Sequence, residues 1–230
     1  DVCSSDLVEA IAQEKAGIIK PNTPVLTLSQ KPAIMNILEK VAQNQNAPLH
    51  IAAPIGKDQL KDSHFGHYQA RNIGLSLKGM QLISNIIQTP FNKRIYEKAL
   101  FQTTFWGRFT IIEKQNQTLV IDAAHNPLGI QSLIKALKYK YPTKKPTFIV
   151  SFLQRKNAKP MMTMLAQYAN ALYYCDFDPK YSHSLKEMKQ GIKSIEVKPY
   201  YIDKNIDIPN QELVVFTGSI YFLGLIKAYL

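Results

Sequence analysis

Residues 117–137, QTLVIDAAHNPLGIQSLIKAL, join an apolar strand to an amphipathic helix through a short polar turn. The apolar run at 117–121 predicts the strand. Pro127 predicts the first helical position, because its fixed φ is helical and its missing N–H is not needed there. The buried stripe of the helix is predicted at Ile130, Leu133, Ile134 and Leu137. The segment therefore predicts one strand–turn–helix unit of an α/β fold.

Similar patterns repeat on both sides of this segment. Further strands are predicted at 23–28, 48–52, 147–153, 171–175, 198–202 and 213–217. Helices are predicted at 8–16, 67–87, 92–101, 158–169 and 219–229, and along the apolar face of Ile34, Ile37, Leu38 and Val41. Strands that alternate with helices of this length indicate a parallel, doubly wound sheet. The expected fold class is therefore α/β.

The first predicted helix carries an anomaly. Asp6, three residues before Glu9, predicts its N-cap, and Gly17 predicts its end. Its apolar stripe is predicted at Val8, Ile11 and Ala12, and the next residue on that stripe is Lys15. A lysine that faces a core is costly unless its charge is compensated.

The composition is that of an ordinary folded protein. Of the 230 residues 46% are hydrophobic, and no apolar run of about 18 residues predicts a membrane span. The N-terminus lacks the basic and apolar regions of a secretory signal. Two cysteines, Cys3 and Cys175, do not make a disulfide framework. We therefore expect a protein of the reducing cytoplasm.

The charge is unusual, because 28 lysines and arginines oppose 17 acidic residues for a formal net charge of +11. Such a charge attracts nucleic acid or anionic small molecules. The lysines are scattered, however, and no nucleic-acid-binding motif accompanies them. We favour a solvated lysine-rich surface, with anionic substrates as a second influence, over nucleic-acid binding.

The turn DAAHNP lies where a predicted parallel strand ends, which is the edge at which open α/β sheets bind ligands. Asp122 could accept hydrogen bonds from a ribose or hold a cation, and His125 could donate to an anionic group. Asn126 is equally well explained as a helix cap. The alternative for Asp122 is a purely structural role in the turn.

Two further segments hold candidate anion ligands. In FTGSIYFLG, Gly218 permits a tight turn and the Ser219 hydroxyl could bind a carboxylate or phosphate, although serine is also a common N-cap. In WGRF, Arg108 could clamp a phosphate. The alternative is a surface arginine that covers Trp106.

Several enzyme classes are excluded by missing motifs. Gly74 and Gly79 have the spacing of a P-loop, but Met80 and Gln81 stand where lysine and serine or threonine are required. The sequence contains no HExxH, paired CxxC or GxSxG, which argues against a zinc hydrolase or a serine esterase.

Five motifs become informative together: IAQEKAGIIKPNTPV, GHYQARN, WGRF, LVIDAAHNPLGI and FTGSIYFLG. In this order, over residues 8–230, they resemble the folylpolyglutamate synthase and bifunctional dihydrofolate synthase family of the Mur ligase superfamily. The resemblance implies the C-terminal part of a P-loop-type central ATPase domain, expected at 8–88, and a linker at 89–104. A Rossmann-like Mur ligase C-terminal domain, the glutamate ligase domain, is expected at 105–230.

The resemblance also implies a reaction. Such enzymes use ATP and Mg²⁺ to phosphorylate a carboxylate of a folate or dihydropteroate substrate. The amine of L-glutamate then attacks the acyl phosphate, which forms an amide and releases phosphate. The implied partners are these small molecules, with neither nucleic acid nor membrane, and the full-length protein is expected to be a monomer.

The motifs assign expected catalytic residues. Lys15 matches a lysine that is carbamylated in the family and supports the magnesium site. His125 and Ser219 match positions around the glutamate and the phosphate. Lys156 lies near the family's Asp-Lys-Asp motif, with Arg155 and Asn157 in place of the acids.

ATP contacts are implied at three further positions. Asn72, in the pattern that begins at His67, matches a contact on the adenine side. Arg108 matches an arginine that meets the phosphates, and Asp122 matches the acidic residue at the nucleotide. No metal ligand is assigned.

Departures from the family pattern limit what these residues are expected to do. The phosphate-binding Gly-rich loop of the family lies upstream of EKAGI, and residues 1–7 resemble a non-native junction. Ala123 stands where the family usually has glycine. We therefore expect no ligase activity from these 230 residues alone, and an exposed sheet edge in the first part.

Two other functions remain open. One is another Mur-type amino-acid ligase, such as one that acts on cell-wall precursors, although EKAGI and TGSIY argue against it. The other is a non-catalytic domain that binds nucleotides or nucleic acid through the charge of +11.

Overall fold

The structure, a computed structural model, describes residues 2–60, 66, 68–202 and 206–230, without the side chains of 2–7 and 57. The chain divides into two compact units. The first holds residues 2–60 and 69–102, and the second holds 103–230 together with Gly66 and Tyr68. Among the described residues, no helix is both long and apolar enough to cross a membrane.

The first unit combines helices with a two-stranded parallel sheet. Its elements are α1 (Val2–Ala16), β1 (Val25–Leu28), α2 (Pro32–Asn44), β2 (Leu49–Ala52), a 3-10 turn (Lys57–Leu60), α3 (Gln69–Ile86) and α4 (Lys93–Gln102). β1 and β2 run parallel, with Val25 opposite Leu49. A small core holds Ala16, Ile19, Ala42 and Ala47.

The segment with P-loop glycine spacing is helical, as predicted, because both glycines lie inside α3. At Gly74 the helix approaches the chain after β2 so closely that an added Cβ would lie 2.0 Å from the carbonyl oxygen of Ala53. The glycine at this position therefore permits close packing of α3 on its own unit.

The start of helix α1 differs from the prediction. The helix begins at Val2, so Asp6 lies within it and is not its N-cap. The predicted end is confirmed, because α1 stops at Ala16 and Gly17 follows in a turn. The predicted junction at residues 1–7 lies outside the described side chains.

The prediction that the stripe of α1 faces a core is wrong. Only Ala12 is buried, whereas Val8 and Ile11 are 39% and 47% exposed. The Lys15 side chain is 74% exposed and its Nζ lies 3.9 Å from Glu14 Oε1. The cost expected for a buried lysine therefore does not arise, and the stripe lines an open apolar groove of about 390 Å³.

The second unit is a six-stranded mixed sheet flanked by helices. Its elements are β3 (Thr110–Lys114), β4 (Gln117–Asp122), α5 (Pro127–Lys140), β5 (Thr147–Ser151), α6 (Lys159–Tyr168), β6 (Ala171–Cys175), α7 (Leu185–Lys189), β7 (Val197–Tyr200), β8 (Leu213–Gly218) and α8 (Ile220–Ile226). The strand order is β3-β4-β8-β5-β6-β7. All neighbours are parallel except β3, which runs antiparallel to β4. The predicted α/β class is confirmed, with an antiparallel edge strand in place of a wholly parallel sheet.

Helix α7 is an element that the prediction omitted. Ser184 caps it by accepting a hydrogen bond from the N–H of Glu187, whose carboxylate accepts one from the Ser184 N–H in return. This capping box lowers the pKa of Glu187, because the hydrogen bonds favour the carboxylate.

The sheet of the second unit is covered on both faces, which explains its almost continuous apolar strands. On one face, Val120, Phe148 and Val215 pack against α5 and α6. On the other, Ile121 and Phe216 belong to the core that includes Phe222, Leu223 and Ile226 of α8. This double burial holds the ends of the central strands in a defined register.

Candidate active site

The central parallel strands bring three turns together at their carboxyl edge. Asp122 of β4 is opposite Thr217 of β8, and Gly218 is opposite Ser151 of β5. Gly218 has a φ of +108°, and an added Cβ would lie 2.1 Å from the carbonyl oxygen of Ser151. The N–H of Ser219 donates to that oxygen at 2.7 Å. Glycine is therefore required here for both its conformation and its lack of a side chain.

The carboxylate of Asp122 is fully engaged by protein groups. Its Oδ2 accepts hydrogen bonds from the Tyr68 hydroxyl at 2.5 Å and the Phe109 N–H at 2.9 Å. Its Oδ1 accepts one from the Ala124 N–H at 3.0 Å, and the residue is only 5% exposed. Desolvation raises the pKa of Asp122, although these hydrogen bonds and the charge of Arg108 oppose the shift.

The turn WGRF is fastened to the end of β4. Gly107 and Phe109 adopt φ values of +76° and +56°, and the Gly107 carbonyl accepts the Ala123 N–H at 2.8 Å. This turn leaves Arg108 exposed, within electrostatic reach of the Asp122 carboxylate. Arg108 is therefore available to an anion at the carboxyl edge.

Arg108 is not the residue that covers Trp106, which was the alternative role considered for it. The cation over the Trp106 ring is Lys227, whose Nζ lies 5.5 Å from the ring centroid. The indole N–H of Trp106 donates to the Leu223 carbonyl at 3.2 Å. Trp106 is thus covered within its own unit without Arg108.

His125 has a defined tautomer. Its Nδ1 lies 2.8 Å from the carbonyl oxygen of Ala123, which can only accept, so Nδ1 carries the proton. In the neutral ring Nε2 is then left with a lone pair, and the residue is exposed. The next residue, Asn126, caps α5 by accepting the Gly129 N–H at 2.8 Å. His125 can therefore act as a proton acceptor at the rim of the edge.

Ser219 has a structural role in addition to its predicted one. It is 3% exposed and caps α8, because its hydroxyl oxygen accepts the Tyr221 N–H at 3.3 Å. Its own N–H is committed to Ser151. The hydroxyl hydrogen is the donor that this arrangement leaves for a ligand.

Two predicted site residues lie in the first unit. Asn72 is on α3, where its amide donates to Gln69 Oε1 at 2.7 Å, and His67 of the same motif lies outside the described residues. Lys15 lies at the end of α1. The second unit thus brings together Arg108, Asp122, His125 and Ser219, whereas Asn72 and Lys15 belong to the other unit.

Tyr68 was missed by sequence reasoning. It lies 54 residues from Asp122 along the chain, and no spacing rule connects the two. Burial strongly raises the pKa of Tyr68, and the Asp122 charge adds to this effect. The tyrosine is therefore protonated and remains a donor to the carboxylate.

The described residues do not build a magnesium site. No group of three histidine, cysteine, aspartate or glutamate side chains in this part of the chain is placed to hold a metal ion. Asp122 also has both of its oxygens occupied. A divalent cation would need ligands besides these residues.

The second unit is similar to a known domain family. The family model for the Mur ligase, glutamate ligase domain, matches residues 107–219. The chain is 24% identical over 248 residues to the dihydrofolate synthase/folylpolyglutamate synthase of Bacillus subtilis, and 26% identical over 256 residues to the folylpolyglutamate synthase of Lacticaseibacillus casei. Each alignment covers 96% of this chain and 57% of the relative. The chain thus spans a little over half the length of these relatives.

Solved structures show the same fold. The folylpolyglutamate synthase of Thermotoga maritima superposes with a TM-score of 0.75 at 20% identity, over 96% of this chain and 57% of that protein. The Mycobacterium tuberculosis folylpolyglutamate synthase, complexed with ADP and AMPPCP, gives 0.78 at 18% identity over 96% and 59%.

Proposed function

Because residues 107–219 match the family model for the Mur ligase, glutamate ligase domain, we propose that this chain belongs to an ATP-dependent ligase that joins L-glutamate to folate or dihydropteroate. One observation carries the proposal: the matched segment contains all four predicted site residues of the second unit. These residues, called the carboxyl-edge cluster below, are Arg108, Asp122, His125 and Ser219. The similarity to folylpolyglutamate synthases over 96% of the chain supports the same substrate class.

In the proposed reaction ATP supplies the phosphoryl group. A carboxylate oxygen of the folate attacks the terminal phosphorus and ADP leaves. The amine nitrogen of glutamate then attacks the acyl carbon, which forms the amide and releases phosphate. Arg108, exposed at the edge, would neutralise phosphate charge, and His125 Nε2 would accept the proton that the attacking amine loses.

The remaining predicted residues have supporting roles in this proposal. Asp122 and Asn72 would contact the nucleotide, and Ser219 would donate its hydroxyl hydrogen to the glutamate or the phosphate. A nucleotide hydroxyl that reached Asp122 would have to replace that of Tyr68. A carbamylated Lys15 and Mg²⁺ would require groups outside the described residues, and no step is assigned to them.

The test uses the protein translated from the whole reading frame that contains this sequence. With folate, ATP and L-glutamate, His125→Ala should lower kcat by about 10²- to 10⁴-fold, as expected for loss of general-base catalysis. Arg108→Gln should raise the KM for ATP, with Lys138→Gln on the surface of α5 as the matched control. Unchanged kinetics in both site variants would remove these residues from the mechanism.

The net charge of +11 favours one competing function, the binding of nucleic acid. We propose instead a cytosolic, monomeric enzyme that acts on small molecules. The described part of the chain shows no nucleic-acid-binding motif that would accompany the positive charge. DNA or RNA binding at physiological ionic strength with a steep salt dependence would support the competitor.

A further inference from the structure

One of the three groups that hold the Asp122 carboxylate differs in kind from the other two. Phe109 and Ala124 donate main-chain N–H groups, which belong to the turns at the end of β4. The third donor is the hydroxyl of a side chain, Tyr68, at 2.5 Å from Oδ2. A ligand hydroxyl can replace another hydroxyl and leave both turns undisturbed. The Tyr68 hydroxyl is therefore the exchangeable partner of Asp122.

Tyr68 also lies on the accessible side of the carboxylate. The residues of the two main-chain donors are at most 7% exposed, whereas Tyr68 is only half-buried. Its ring is located by close packing, because a Cβ added at Gly66 would lie 2.7 Å from Tyr68 Cε1. The place of the Tyr68 hydroxyl is therefore the side from which a ligand can reach Asp122.

A free cation adjoins the same two groups. Burial and the Asp122 charge raise the pKa of Tyr68, and the charge of Arg108 opposes this shift, as it does at Asp122. The guanidinium is thus within electrostatic reach of both. Arg108 is exposed, and none of the ion pairs found among the described residues involves it. A carboxylate that binds a hydroxyl therefore lies beside a cation that can bind a phosphate. A nucleotide carries ribose hydroxyls and phosphates in one molecule.

We propose that the Tyr68 hydroxyl is an internal competitor for a ribose hydroxyl of the nucleotide at Asp122, and that the nucleotide displaces it. The proposal rests on the proposed function, in which ATP binds at this edge of the sheet. On binding, the ribose hydroxyl donates to Asp122 Oδ2 and the Tyr68 hydroxyl donates to water instead. Tyr68 thereby lowers the affinity for ATP and takes no part in the chemical step.

The competition determines how much the ribose hydroxyl adds to affinity. In the wild type one hydroxyl-to-carboxylate hydrogen bond is exchanged for another, so the net gain is small. Without the Tyr68 hydroxyl, the ribose hydroxyl adds a new hydrogen bond to a charged group, which corresponds to about tenfold in affinity. A nucleotide that lacks ribose hydroxyls leaves Tyr68 in place and gains nothing in either case. Discrimination between two such nucleotides is a readout that a merely structural role of Tyr68 would not change.

The test titrates ATP and 2′,3′-dideoxy-ATP by calorimetry into the protein translated from the whole reading frame. The two wild-type affinities should differ by less than about threefold. Tyr68→Phe should bind ATP about tenfold more tightly and leave the affinity for dideoxy-ATP within about twofold of the wild type. Tyr141→Phe is the matched control, because it removes from the same core a buried hydroxyl that has no hydrogen-bond partner among the described residues. It should change neither affinity by more than about twofold.

Three results would overturn the proposal: an unchanged ATP affinity in Tyr68→Phe, an equal change for both nucleotides, or an equal gain in Tyr141→Phe. Weaker binding of both nucleotides to Tyr68→Phe would mean that Tyr68 holds the site in place instead of competing for it. Retained binding of dideoxy-ATP shows that the variant is folded. Glutamate addition by the wild type separates the two levels. If glutamate is added, an overturning result removes only the role of Tyr68, whereas a lack of glutamate addition removes the proposed function.

Discussion

The two units of the chain differ in how completely their sheets are buried. In the second unit, strands such as β4 and β8 are buried along almost their whole length, and both faces carry helices. In the first unit, β1 is only half-buried, Ile51 of β2 is 52% exposed, and the stripe of α1 lines an open groove. Both units combine parallel strands with helices, but the core is closed in the second unit and open in the first.

This difference predicts which of the two units is the more stable. Apolar burial is the main favourable term in folding, so the second unit should be much the more stable of the two. It also holds the carboxyl-edge cluster. The single tryptophan, Trp106, belongs to this unit, so its fluorescence reports on this unit by itself.

The largest expected effect is a core deletion in the second unit. Phe148 is fully buried in β5, so Phe148→Ala should lower the free energy of unfolding by about 3–5 kcal/mol. Ile37→Ala in the partly exposed core of the first unit should cost less than about 2 kcal/mol. Urea unfolding, followed by Trp106 fluorescence and by circular dichroism, measures both. Equal losses would remove the contrast between the units.

A glycine pair sharpens the comparison within one unit. Gly218→Ala should cost on the order of 2–3 kcal/mol, because its φ is +108° and the new Cβ would meet the Ser151 carbonyl. Gly224→Ala in α8 is the control, since a Cβ there meets nothing within 4 Å, and it should stabilise by up to about 1 kcal/mol. A neutral Gly218→Ala would mean that the turn at the site is not tightly packed.

Gly74→Ala is the counterpart in the first unit. The new Cβ would meet the Ala53 carbonyl at 2.0 Å, so helix α3 would have to shift. We expect the free energy of unfolding measured by circular dichroism to fall by on the order of 1–3 kcal/mol. The unfolding transition measured by Trp106 fluorescence should stay in place. An equal shift of the Trp106 transition would show that the two units unfold together.

How much of this was predictable varies with the range of the interaction. The strands and helices around Pro127 followed from local periodicity, and the capping box of α7 was equally visible at Ser184 and Glu187 but was overlooked. The burial of the α1 stripe was predicted wrongly, because amphipathic spacing shows which face is apolar but not whether anything covers it. The Tyr68–Asp122 bond depends on tertiary contact and had no local signal.

The pH dependence of Asp122 tests its burial. Desolvation raises its folded-state pKa above the ordinary 3.8, so the folded chain holds this proton at higher pH than the unfolded chain does. Its contribution to the free energy of unfolding is therefore fully present below pH 3.8 and falls as the pH rises through the folded-state value.

The measurement compares the wild type with Asp122→Asn across that range. The wild-type advantage should shrink between acid and neutral pH, because the folded chain gives up the Asp122 proton at higher pH than the unfolded chain does. An advantage that grows with pH would mean that the three hydrogen bonds outweigh desolvation.

The smallest effect concerns Cys175, at the end of β6. Burial raises the pKa of its thiol to about 12, and the residue is 1% exposed. Alkylation at neutral pH, followed at this position by mass spectrometry, should therefore be limited by opening of the second unit. Rapid labelling in the native state would contradict the closed core assigned to this unit.

The most direct test of the central claim is the product itself. The protein translated from the whole reading frame is incubated with folate or dihydropteroate, ATP and L-glutamate, and the products are followed by mass spectrometry. We predict a substrate that gains one glutamyl residue for each phosphate released, and little such product with His125→Ala. An intact protein that binds ATP and folate but forms no glutamyl amide with either substrate would contradict it.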